Sequence, residues 1–253
     1  MPVDGSMLLA GNEVRERLGP FCVWRQATAE AEAILQQLLP DPDRILAVGK
    51  ELPSPWRGEA TDKVRVELGG RAYFLKRYNP TSLLYPLKNA FRPSRALRSW
   101  RAVQLFIRCG VPTPAPLLCL EERRSRLLGR SYLLFPFVAA DAGSFLDLWP
   151  RLDAVSQRHC LERLAQLLGR MHRQGILHGD LNWRNILAVR EGEGFSFWLV
   201  DLDGSRQVAR LTPGRAERDL SHFLRDLQRS GAAPELYSAF LERWRREAGQ
   251  AVS

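Results

Sequence analysis

Cysteine is scarce in this chain of 253 residues, and long apolar runs are missing. The four cysteines are Cys22, Cys109, Cys119 and Cys160. No two of them form a C-x-x-C pair and none groups with histidine, so we expect neither a disulfide framework nor a zinc site, as in a reducing cytosol. No apolar run reaches the roughly 18 residues that cross a bilayer. Residues 1–11 lack the pattern of a secretory signal, with Met7 as an alternative start to Met1. These absences predict a cytoplasmic protein that does not span a membrane.

One long segment of the chain lacks acidic residues. Between Leu68 and Leu120 there is no Asp or Glu, while the formal net charge of the chain is +9. The segment carries nine cations: Arg71, Lys76, Arg77, Lys88, Arg92, Arg95, Arg98, Arg101 and Arg108. These nine account for the whole imbalance, and they predict an anionic partner or substrate.

Two helices and several strands are predicted for the first half of the chain. With 45% hydrophobic residues, the chain can bury a sizeable core. The predicted helices cover 29–39 and 92–108. The predicted strands cover 45–48, 63–68, 71–78, 117–120 and 131–138. Gly69 and Gly70 give a turn between two of these strands, which therefore form an antiparallel hairpin.

The second half is predicted to be mainly helical. A long helix with apolar residues from Leu161 to Met171 ends before Gly175, and two more helices cover 215–229 and 234–247. Strands at 186–189 and 195–200 form a small hairpin, and small residues over 139–143 indicate a hinge. The predicted fold is α+β, with three parts: an N-terminal helical extension over 1–42, a sheet-rich lobe over 43–138 and a helical lobe over 139–253.

The segment from His178 to Leu187 carries the most specific chemical pattern. It contains H-x-D-x-x-x-x-N, with Asp180 and Asn185 in the polar positions, between the long helix and a strand. In phosphotransferases of this pattern, the Asp contacts the acceptor hydroxyl and the Asn holds a metal ion. Asp and Asn are also common turn residues, but the full spacing followed by a hairpin favours a catalytic loop. We expect His178 to orient this loop rather than to accept a proton.

A second carboxylate site follows the hairpin. Asp201 comes directly after the apolar strand, in the sequence Val-Asp-Leu-Asp-Gly, where a kinase-like fold places a Mg²⁺-binding Asp. Asp203 is the alternative, since either residue can form a turn at the end of a strand. The other histidines, His159, His172 and His222, form no ligand pattern and are expected to be ordinary surface or core residues.

Lys76 is the third candidate. On the predicted strand 71–78 it shares a face with Ala72, Phe74 and Tyr78, an otherwise apolar row. A lysine on such a face either extends to the surface or meets an anion, and an ATP phosphate is the anion that a kinase supplies.

The sequence resembles the lipopolysaccharide core sugar kinases of Gram-negative bacteria, the Kdo and heptose kinases, within the protein-kinase-like superfamily. The resemblance covers roughly residues 45 to 230. Its most specific pieces are Arg71–Arg77, Gly110–Pro114, His178–Leu187, Val200–Asp203 and Glu217–Leu220. It implies a bilobal fold with an antiparallel-sheet lobe and a mainly helical lobe, and a nucleotide beside the hinge near 137–143.

The resemblance also implies roles for the candidate residues. The reaction would transfer the ATP γ-phosphate to a hydroxyl of an inner-core sugar of lipopolysaccharide, with Asp180 as the base or hydroxyl-orienting group. Asn185 and Asp201 would bind Mg²⁺, and Lys76 would bind the phosphates. Asp219 would support the catalytic loop structurally. Gly179 stands where protein kinases usually have Arg, as in small-molecule kinases that activation-loop phosphorylation does not switch.

Two departures from the family pattern keep other functions open. The predicted helix 92–108 has no carboxylate, and Ser99 stands where relatives carry the Glu that pairs with the strand lysine. The G-x-G-x-x-G loop is also missing. One alternative is therefore a pseudokinase that binds or scaffolds without chemistry. The other is a kinase of another small hydroxylated molecule, like the aminoglycoside phosphotransferases.

The basic segment has two interpretations. Arg92, Arg95, Arg98 and Arg101 recur every three residues, which fits a solvated helix face. They also fit a surface that faces phosphorylated core sugars or the anionic cytoplasmic leaflet, as in a peripheral protein of the inner membrane. No nucleic-acid-binding motif accompanies these arginines, so nucleic acid is not an expected partner.

Overall fold

The computed structural model describes residues 13–51, 60–138, 143–192 and 194–249. The chain divides into two compact units. The first comprises Met1–Arg108 and Pro114–Val138, and the second comprises Cys109–Thr113 and Ala139–Ser253. The hinge expected over 139–143 lies outside the described residues except for Gly143.

A seven-stranded antiparallel sheet forms the centre of the first unit. Its strands are β1 (Glu13–Leu18), β2 (Phe21–Gln26), β3 (Lys50–Glu51), β4 (Thr61–Leu68), β5 (Arg71–Tyr78), β6 (Leu118–Arg124) and β7 (Leu127–Pro136), and their order is β1-β2-β6-β7-β5-β4-β3. Its helices are α1 (Ala29–Leu38), α2 (Pro42–Val48), α3 (Tyr85–Lys88) and α4 (Arg95–Arg108). Both faces of the sheet carry apolar residues. Leu118 and Leu120 pack in the same core as α1, whereas Cys119 packs with α4.

The helical extension that the sequence predicts for 1–42 is wrong for residues 13–26, which form two strands. The first two strands of the sheet, β1 and β2, precede α1, and Leu18 pairs with Phe21 across a tight turn in which Gly19 has a φ of +57°. The sequence EVRERL of β1 lacks apolar alternation because this strand lies at the sheet edge, where its side chains are half-buried or exposed. Its place in the sheet rests on backbone pairing, which leaves little trace in the sequence.

The strand predicted at 45–48 is wrong, because these residues belong to α2. Asp41 caps this helix by accepting hydrogen bonds from the backbone N–H groups of Asp43 and Arg44, and Pro42 occupies its first turn. Asp43 then ties the helix to the sheet, since it pairs with Arg77 and Arg130. Burial alone would raise the pKa of Asp43, but hydrogen bonds from Tyr132 and Arg77 lower it. A run of four apolar residues does not by itself distinguish strand from helix.

The predicted hairpin of β4 and β5 is confirmed. The predicted basic helix is also confirmed, but its first residue differs. Gly69 and Gly70 have φ values of +55° and +75° in the turn. Helix α4 begins at Arg95 rather than Arg92, because the Ser94 hydroxyl accepts a hydrogen bond from the Leu97 N–H at 3.0 Å and so caps it. The buried face of α4 consists of Ala96, Leu97, Ser99, Trp100, Ala102, Val103 and Phe106.

Helices dominate the second unit, as predicted. They are α5 (Phe145–Leu148), α6 (Ala154–Arg173), α7 (Pro213–Arg229) and α8 (Pro234–Glu247). Two short antiparallel pairs accompany them: β8 (Ile176–Leu177) with β11 (Arg206–Gln207), and β9 (Ile186–Glu191) with β10 (Gly194–Leu199). The α+β class, with an antiparallel sheet first and helices second, is therefore confirmed. Within the described ranges, no helix is long and apolar enough to cross a membrane.

Aromatic rings fill the core of the second unit. The Phe145 ring lies 4.7 Å from Trp183 and 5.5 Å from Phe197, measured between ring centroids. Phe223 of α7 stacks on Phe240 of α8 at 4.7 Å. Because Trp183 belongs to the segment of the predicted catalytic loop and is buried, this core anchors one side of the loop.

Candidate active site

The loop between β8 and β9 carries Asp180 and Asn185. The Asn185 side-chain amide donates hydrogen bonds to the Asp180 backbone oxygen at 2.9 Å and to Asp180 Oδ2 at 3.1 Å. Asn182 donates to the other carboxylate oxygen, Oδ1, at 3.0 Å. Two amides therefore fix the orientation of a carboxylate whose side chain is 56% exposed. Such a group is oriented and accessible to a second molecule.

Asp219 of α7 holds the beginning of the loop. Its two carboxylate oxygens accept hydrogen bonds from the backbone N–H groups of His178, at 2.9 Å, and Gly179, at 2.7 Å. The Asp219 side chain is 5% exposed. Burial alone would raise the pKa of Asp219, but hydrogen bonds from His172 and from these two N–H groups lower it. The geometry agrees with the supporting role that the resemblance implies for Asp219.

Behind Asp219, a buried histidine and a tryptophan extend the network. His172 Nε2 lies 3.1 Å from Asp219 Oδ2, and Trp244 Nε1 donates to His172 Nδ1 at 2.9 Å. Because Nδ1 accepts a hydrogen bond from an indole, the imidazole proton lies on Nε2, where it is donated to Asp219. Three helices, α6, α7 and α8, thus each supply one side chain to hold the loop. No local pattern predicts this role for His172, because its partners are 47 and 72 residues away along the chain.

His178 is fully buried in the loop. The Asp180 backbone N–H donates to His178 Nδ1 at 3.3 Å. Burial lowers the pKa of His178 even though the carboxylates of Asp219, Asp180 and Asp201 act in the opposite direction. A buried imidazole that accepts a hydrogen bond from the backbone of its own loop fits the predicted orienting role.

Gly179 lies where the loop touches the turn after Asp201. Its φ is +87°, and a Cβ at this position would be 2.6 Å from the carbonyl oxygen of Gly204. The Ser205 hydroxyl donates to the His178 carbonyl oxygen at 2.8 Å. A side chain at residue 179 would therefore separate the two segments that carry the candidate residues.

Asp201 has an unusual backbone conformation. It follows β10 with φ 64° and ψ 51°, in the left-handed region, which costs a residue other than glycine about 1–3 kcal/mol. The N–H of the preceding residue, Val200, donates to the Asn185 carbonyl oxygen at 3.0 Å. This backbone hydrogen bond brings the Asp201 segment next to Asn185. Asp203 lies in the short 3₁₀ turn Leu202–Gly204 that follows. The choice of Asp201 over Asp203 as a metal ligand stays a prediction.

The residues at this position fit a magnesium ion. The nitrogen of the Asn185 amide bonds to Asp180, which leaves the amide oxygen at the other end of the group as a ligand. Mg²⁺ prefers oxygen ligands and is commonly bound by one or two carboxylates together with substrate phosphates. Asn185 and Asp201 supply this kind of donor set. In the part of the chain that the structure describes, no group of three or more His, Cys, Asp or Glu side chains is placed to hold a metal.

Lys76, in the first unit, is buried on β5. It is 5% exposed, and its Nζ lies 4.7 Å from the centroid of the Tyr78 ring, on the face predicted for it. Three acidic residues lie on or next to the neighbouring strand β4: Asp62 accepts hydrogen bonds from Arg77, Glu67 lies 3.8 Å from Arg65, and Glu59 lies outside the described residues. The inward placement of the lysine is confirmed, and its role toward phosphate stays a prediction.

His222 is a functional candidate that the sequence analysis missed. Its Nδ1 lies 3.4 Å from Asp180 Oδ1, and the side chain is 51% exposed. His222 follows Asp219 by three residues on α7, so both side chains face the loop. This spacing was the available signal, but it has meaning only once the helix is known to pack beside the loop.

Comparisons with known proteins agree on one family. A sequence profile described as the lipopolysaccharide kinase (Kdo/WaaP) family matches residues 53–244. A 3-deoxy-D-manno-octulosonic acid kinase of Xylella fastidiosa (strain 9a5c) is 27% identical over 234 residues, which is 85% of this chain and 86% of that protein. A kinase of the same name from Xanthomonas oryzae pv. oryzae (strain PXO99A) is 32% identical over 144 residues, which is 56% of this chain and 53% of that protein.

A solved structure supports the fold. The structure described as WaaP in complex with acyl carrier protein matches with a TM-score of 0.61 and 20% identity, over 84% of this chain and 86% of that chain. This likeness confirms the predicted protein-kinase-like fold.

Proposed function

Because the chain belongs to the lipopolysaccharide kinase (Kdo/WaaP) family and is a phosphotransferase, we propose that it transfers the γ-phosphoryl group of ATP to a hydroxyl of an inner-core sugar, Kdo or heptose. The observation that carries the proposal is the arrangement of Asp180. Its carboxylate is oriented by Asn182 and Asn185, while its side chain stays accessible to an acceptor. Kdo is proposed because the Xylella relative is named as a kinase of this sugar, 3-deoxy-D-manno-octulosonic acid. Heptose is proposed because the sequence also resembles the heptose kinases.

The proposed reaction uses Asp180 to position the acceptor and to accept its proton. The acceptor oxygen forms a bond to the γ-phosphorus, and the bond from that phosphorus to the β–γ bridging oxygen breaks, so ADP leaves. The hydroxyl proton moves to the Asp180 carboxylate. Phosphoryl transfer depends mainly on such positioning and on stabilisation of charge, with little covalent chemistry on the protein.

Three further residues are proposed to act on the nucleotide side. Asn185 and Asp201 would hold Mg²⁺, and Lys76 would bind the phosphates. When bound, Mg²⁺ neutralises part of the negative charge that the phosphate oxygens carry. For Lys76, the support is its burial on the strand face where the sequence places it, together with the role that the family resemblance implies.

Transfer of labelled phosphate tests this function. Wild-type protein is incubated with γ-labelled ATP, Mg²⁺ and deep-rough lipopolysaccharide, alongside an aminoglycoside panel. An Asp201→Asn variant, which keeps a residue tolerant of the left-handed backbone, controls for contaminating kinases. We expect label on the lipopolysaccharide with wild type and not with the variant. After Mg²⁺ is chelated, we expect no label with either protein.

The other outcomes point to the alternatives. Label on an aminoglycoside but not on lipopolysaccharide would move the assignment to another small hydroxylated acceptor. No transfer to any acceptor, in a protein that still binds ATP, would favour a pseudokinase. Mapping the labelled sugar distinguishes Kdo from heptose.

We also propose that the protein lies at the cytoplasmic face of the inner membrane, through a surface around α3. Four apolar side chains of this surface are strongly exposed: Leu83, Leu84, Leu87 and Phe91, at 101%, 58%, 66% and 80%. Lys88 lies between Leu87 and Phe91 in the sequence, and Arg92 directly follows Phe91. Exposed apolar side chains beside cations are typical of segments that insert into an anionic interface, where each cation contributes about 1 kcal/mol.

Helix α4 carries the rest of the arginines that the sequence analysis assigns to an anionic partner. Arg98 and Arg101 are exposed. Arg95 is half-buried, and its guanidinium lies 4.9 Å from the centroid of the Tyr78 ring. Only part of the predicted arginine face is therefore available to an external anion.

Vesicle flotation tests this location. We expect the protein to float with vesicles containing phosphatidylglycerol, and to do so less with phosphatidylcholine vesicles or at high salt. A Leu84→Ser, Leu87→Ser variant should lose at least 80% of the bound fraction. Val155 of the second unit, 65% exposed, gives the matched control Val155→Ser, which should bind like wild type. Equal flotation of the double variant and wild type would contradict the proposal.

A further inference from the structure

A cavity beside Asp180 is not explained by the roles assigned so far. It has a volume of about 460 Å³ and lies within the second unit, against the catalytic loop, β11 and the first part of α7. Asp180 lines it from the loop, Arg206 from β11, and Arg215, Arg218 and His222 from α7. A cavity of this size can take one sugar residue with its substituents.

The lining of this cavity carries more positive than negative charge, because three arginines face two carboxylates, those of Asp180 and Asp219. Arg215, Arg218 and His222 are three and four residues apart along α7, so they lie on one helix face. Arg206 reaches the same place because it pairs with Leu177, the residue directly before the loop. All three arginines are exposed. Across the described residues, none of their side chains forms an ion pair with a carboxylate.

The carboxylates near the cavity form ion pairs with other groups or none, and not with these arginines. Asp219 accepts hydrogen bonds from two loop N–H groups and pairs with His172. Asp180 accepts from Asn182 and Asn185. Glu217, the other acid at this end of α7, lies 3.8 Å from Arg245 of α8. Three guanidinium groups with no acidic partner repel one another, and an anion bound among them would relieve that repulsion.

We propose that this cavity binds the anionic group of the acceptor, a sugar carboxylate or a sugar phosphate, and thereby selects acceptors that carry a negative charge near the hydroxyl to be phosphorylated. The inference rests on the proposed kinase function and adds a specificity site to it. Guanidinium groups bind carboxylate and phosphate in a bidentate manner, which fixes the orientation of the anion as well as its position. Because Asp180 lines the same cavity, a sugar held by its anion presents a hydroxyl to that carboxylate.

Both sources of the anion are consistent with this chemistry. The sugar named in the Xylella relative is an octulosonic acid, which carries a carboxylate at neutral pH. An acceptor that already bears a phosphate would offer the same charge to the arginines. The two sources are distinguished by modified acceptors, one with its sugar carboxyl reduced to an alcohol and one with its phosphates removed.

The central experiment compares an Arg215→Gln, Arg218→Gln variant with wild type. Steady-state transfer gives kcat and KM separately for deep-rough lipopolysaccharide and for ATP. We expect the KM for the acceptor to rise at least tenfold, while the KM for ATP and kcat change less than twofold. Arg225→Gln, on the same helix but outside the cavity, is the matched control and should behave like wild type. An Arg218→Lys variant keeps the charge without the bidentate geometry and should give an intermediate KM.

Modified acceptors then identify the anion. With wild type, either the carboxyl-reduced or the dephosphorylated acceptor should show a KM at least tenfold higher than the native one. The double variant should no longer distinguish that acceptor from the native one. If wild type treats all three acceptors alike, or the double variant keeps the wild-type KM for lipopolysaccharide, the specificity site is disproved.

A binding measurement without ATP separates this inference from the proposed function. Wild type should bind immobilised lipopolysaccharide at least ten times more tightly than the double variant, with matching circular dichroism spectra. If wild type transfers no phosphate to lipopolysaccharide but this difference in affinity is present, the proposed reaction fails and the anion site stands. Equal affinities overturn the anion site, whatever the result of the transfer assay.

Discussion

Lys76 in the first unit and Asp180 in the second are held by different kinds of interaction. Lys76 lies on β5, and its inward direction follows from the alternation of side chains along one strand. Asp180 lies in a loop whose start is fixed by Asp219 of α7, itself supported by His172 and Trp244. One residue is placed by the local backbone, and the other by side chains from three helices.

This difference has a consequence for how each part tolerates change. A strand position survives most substitutions on neighbouring strands, because its direction depends on backbone pairing. A loop fixed by a few hydrogen bonds loses its geometry when one distant side chain is removed. We therefore expect remote substitutions to impair the second unit more than the first.

Removal of the Asp219 carboxylate should have the largest effect. Asp219→Ala leaves two loop N–H groups and the His172 N–H without their acceptor, and leaving such buried donors unpaired costs about 1–3 kcal/mol each. We expect kcat to fall at least 100-fold, because small displacements of a catalytic group are enough for losses of that order. Glu217→Ala, two residues away on the same helix and exposed, is the control. Steady-state kinetics that show Asp219→Ala within threefold of wild type would contradict the supporting role.

A pair of glycine substitutions compares the two units directly. Gly179 and Gly70 both have a positive φ, but only at Gly179 would a Cβ approach a backbone oxygen, that of Gly204, at 2.6 Å. At Gly70 nothing lies within 4 Å of the added atom. Gly70→Ala should cost about 1–2 kcal/mol, the penalty of the left-handed backbone alone.

Gly179→Ala should cost more than Gly70→Ala, and it should also lower kcat at least tenfold because the loop must shift. Urea unfolding and transfer assays on both variants measure the difference. Equal losses of stability and equal kcat values would mean that the close approach of the loop to Gly204 has no consequence.

Trp244→Phe should have a smaller effect on the same network. It keeps an aromatic ring beside His172 but removes the indole N–H that donates to Nδ1. The loss of one buried hydrogen bond lowers the free energy of unfolding by about 1–2 kcal/mol. We expect kcat to fall less than for Asp219→Ala, since the His172 N–H still faces Asp219. An NMR signal from the Nε2 proton of His172 reports its tautomer. If the variant loses that signal but keeps the wild-type kcat, the tautomer of His172 does not contribute to holding the catalytic loop.

One buried group in each unit, His178 and Tyr73, should make stability depend on pH, at opposite ends of the pH range. Burial lowers the pKa of His178 below its ordinary value of 6.5. In the acid range the unfolded chain therefore binds more protons than the folded one, and stability falls as the pH drops below about 6.5. One proton limits this slope to about 1.4 kcal/mol per pH unit.

In the first unit, burial and then the hydrogen bond to Glu30 raise the pKa of Tyr73 to about 12. The folded protein keeps this proton between pH 10 and 12 while the unfolded chain loses it, so stability falls as the pH rises through that range. His178→Gln should flatten the acid slope and Tyr73→Phe the alkaline one in urea unfolding. Exposed His159 provides the control His159→Gln. Unchanged slopes in the two variants would assign the pH dependence to other groups.

Much of the fold was predictable where the pattern is local. The β4–β5 hairpin followed from alternating residues around Gly69-Gly70, and α8 was predicted over the residues that form it. Residues 45–48 were misassigned because their helix depends on the cap at Asp41 and on Asp43 pairing with Arg77 and Arg130. Strand β1 was missed because an edge strand needs no apolar alternation.

For the candidate active site, too, only the residues in a local sequence pattern could be predicted. The spacing of Asp180 and Asn185 identified the loop, and the resemblance identified Asp219. The roles of His172, His222 and the arginines of α7 could not be predicted, because these roles depend on which elements pack beside the loop. The spacing of Arg215, Arg218 and His222 predicts a shared helix face, but only the structure shows that this face lines the cavity next to Asp180.

The most direct test of the account is a single-turnover measurement of phosphate transfer to lipopolysaccharide by Asp180→Asn. The substitution keeps the size of the side chain and removes the charge that positions the acceptor hydroxyl and accepts its proton. We predict a rate at least 100-fold below wild type, with unchanged affinity for ATP and with Glu217→Gln at the wild-type rate. An Asp180→Asn protein that transfers phosphate at the wild-type rate would contradict the assignment of this loop as the catalytic centre.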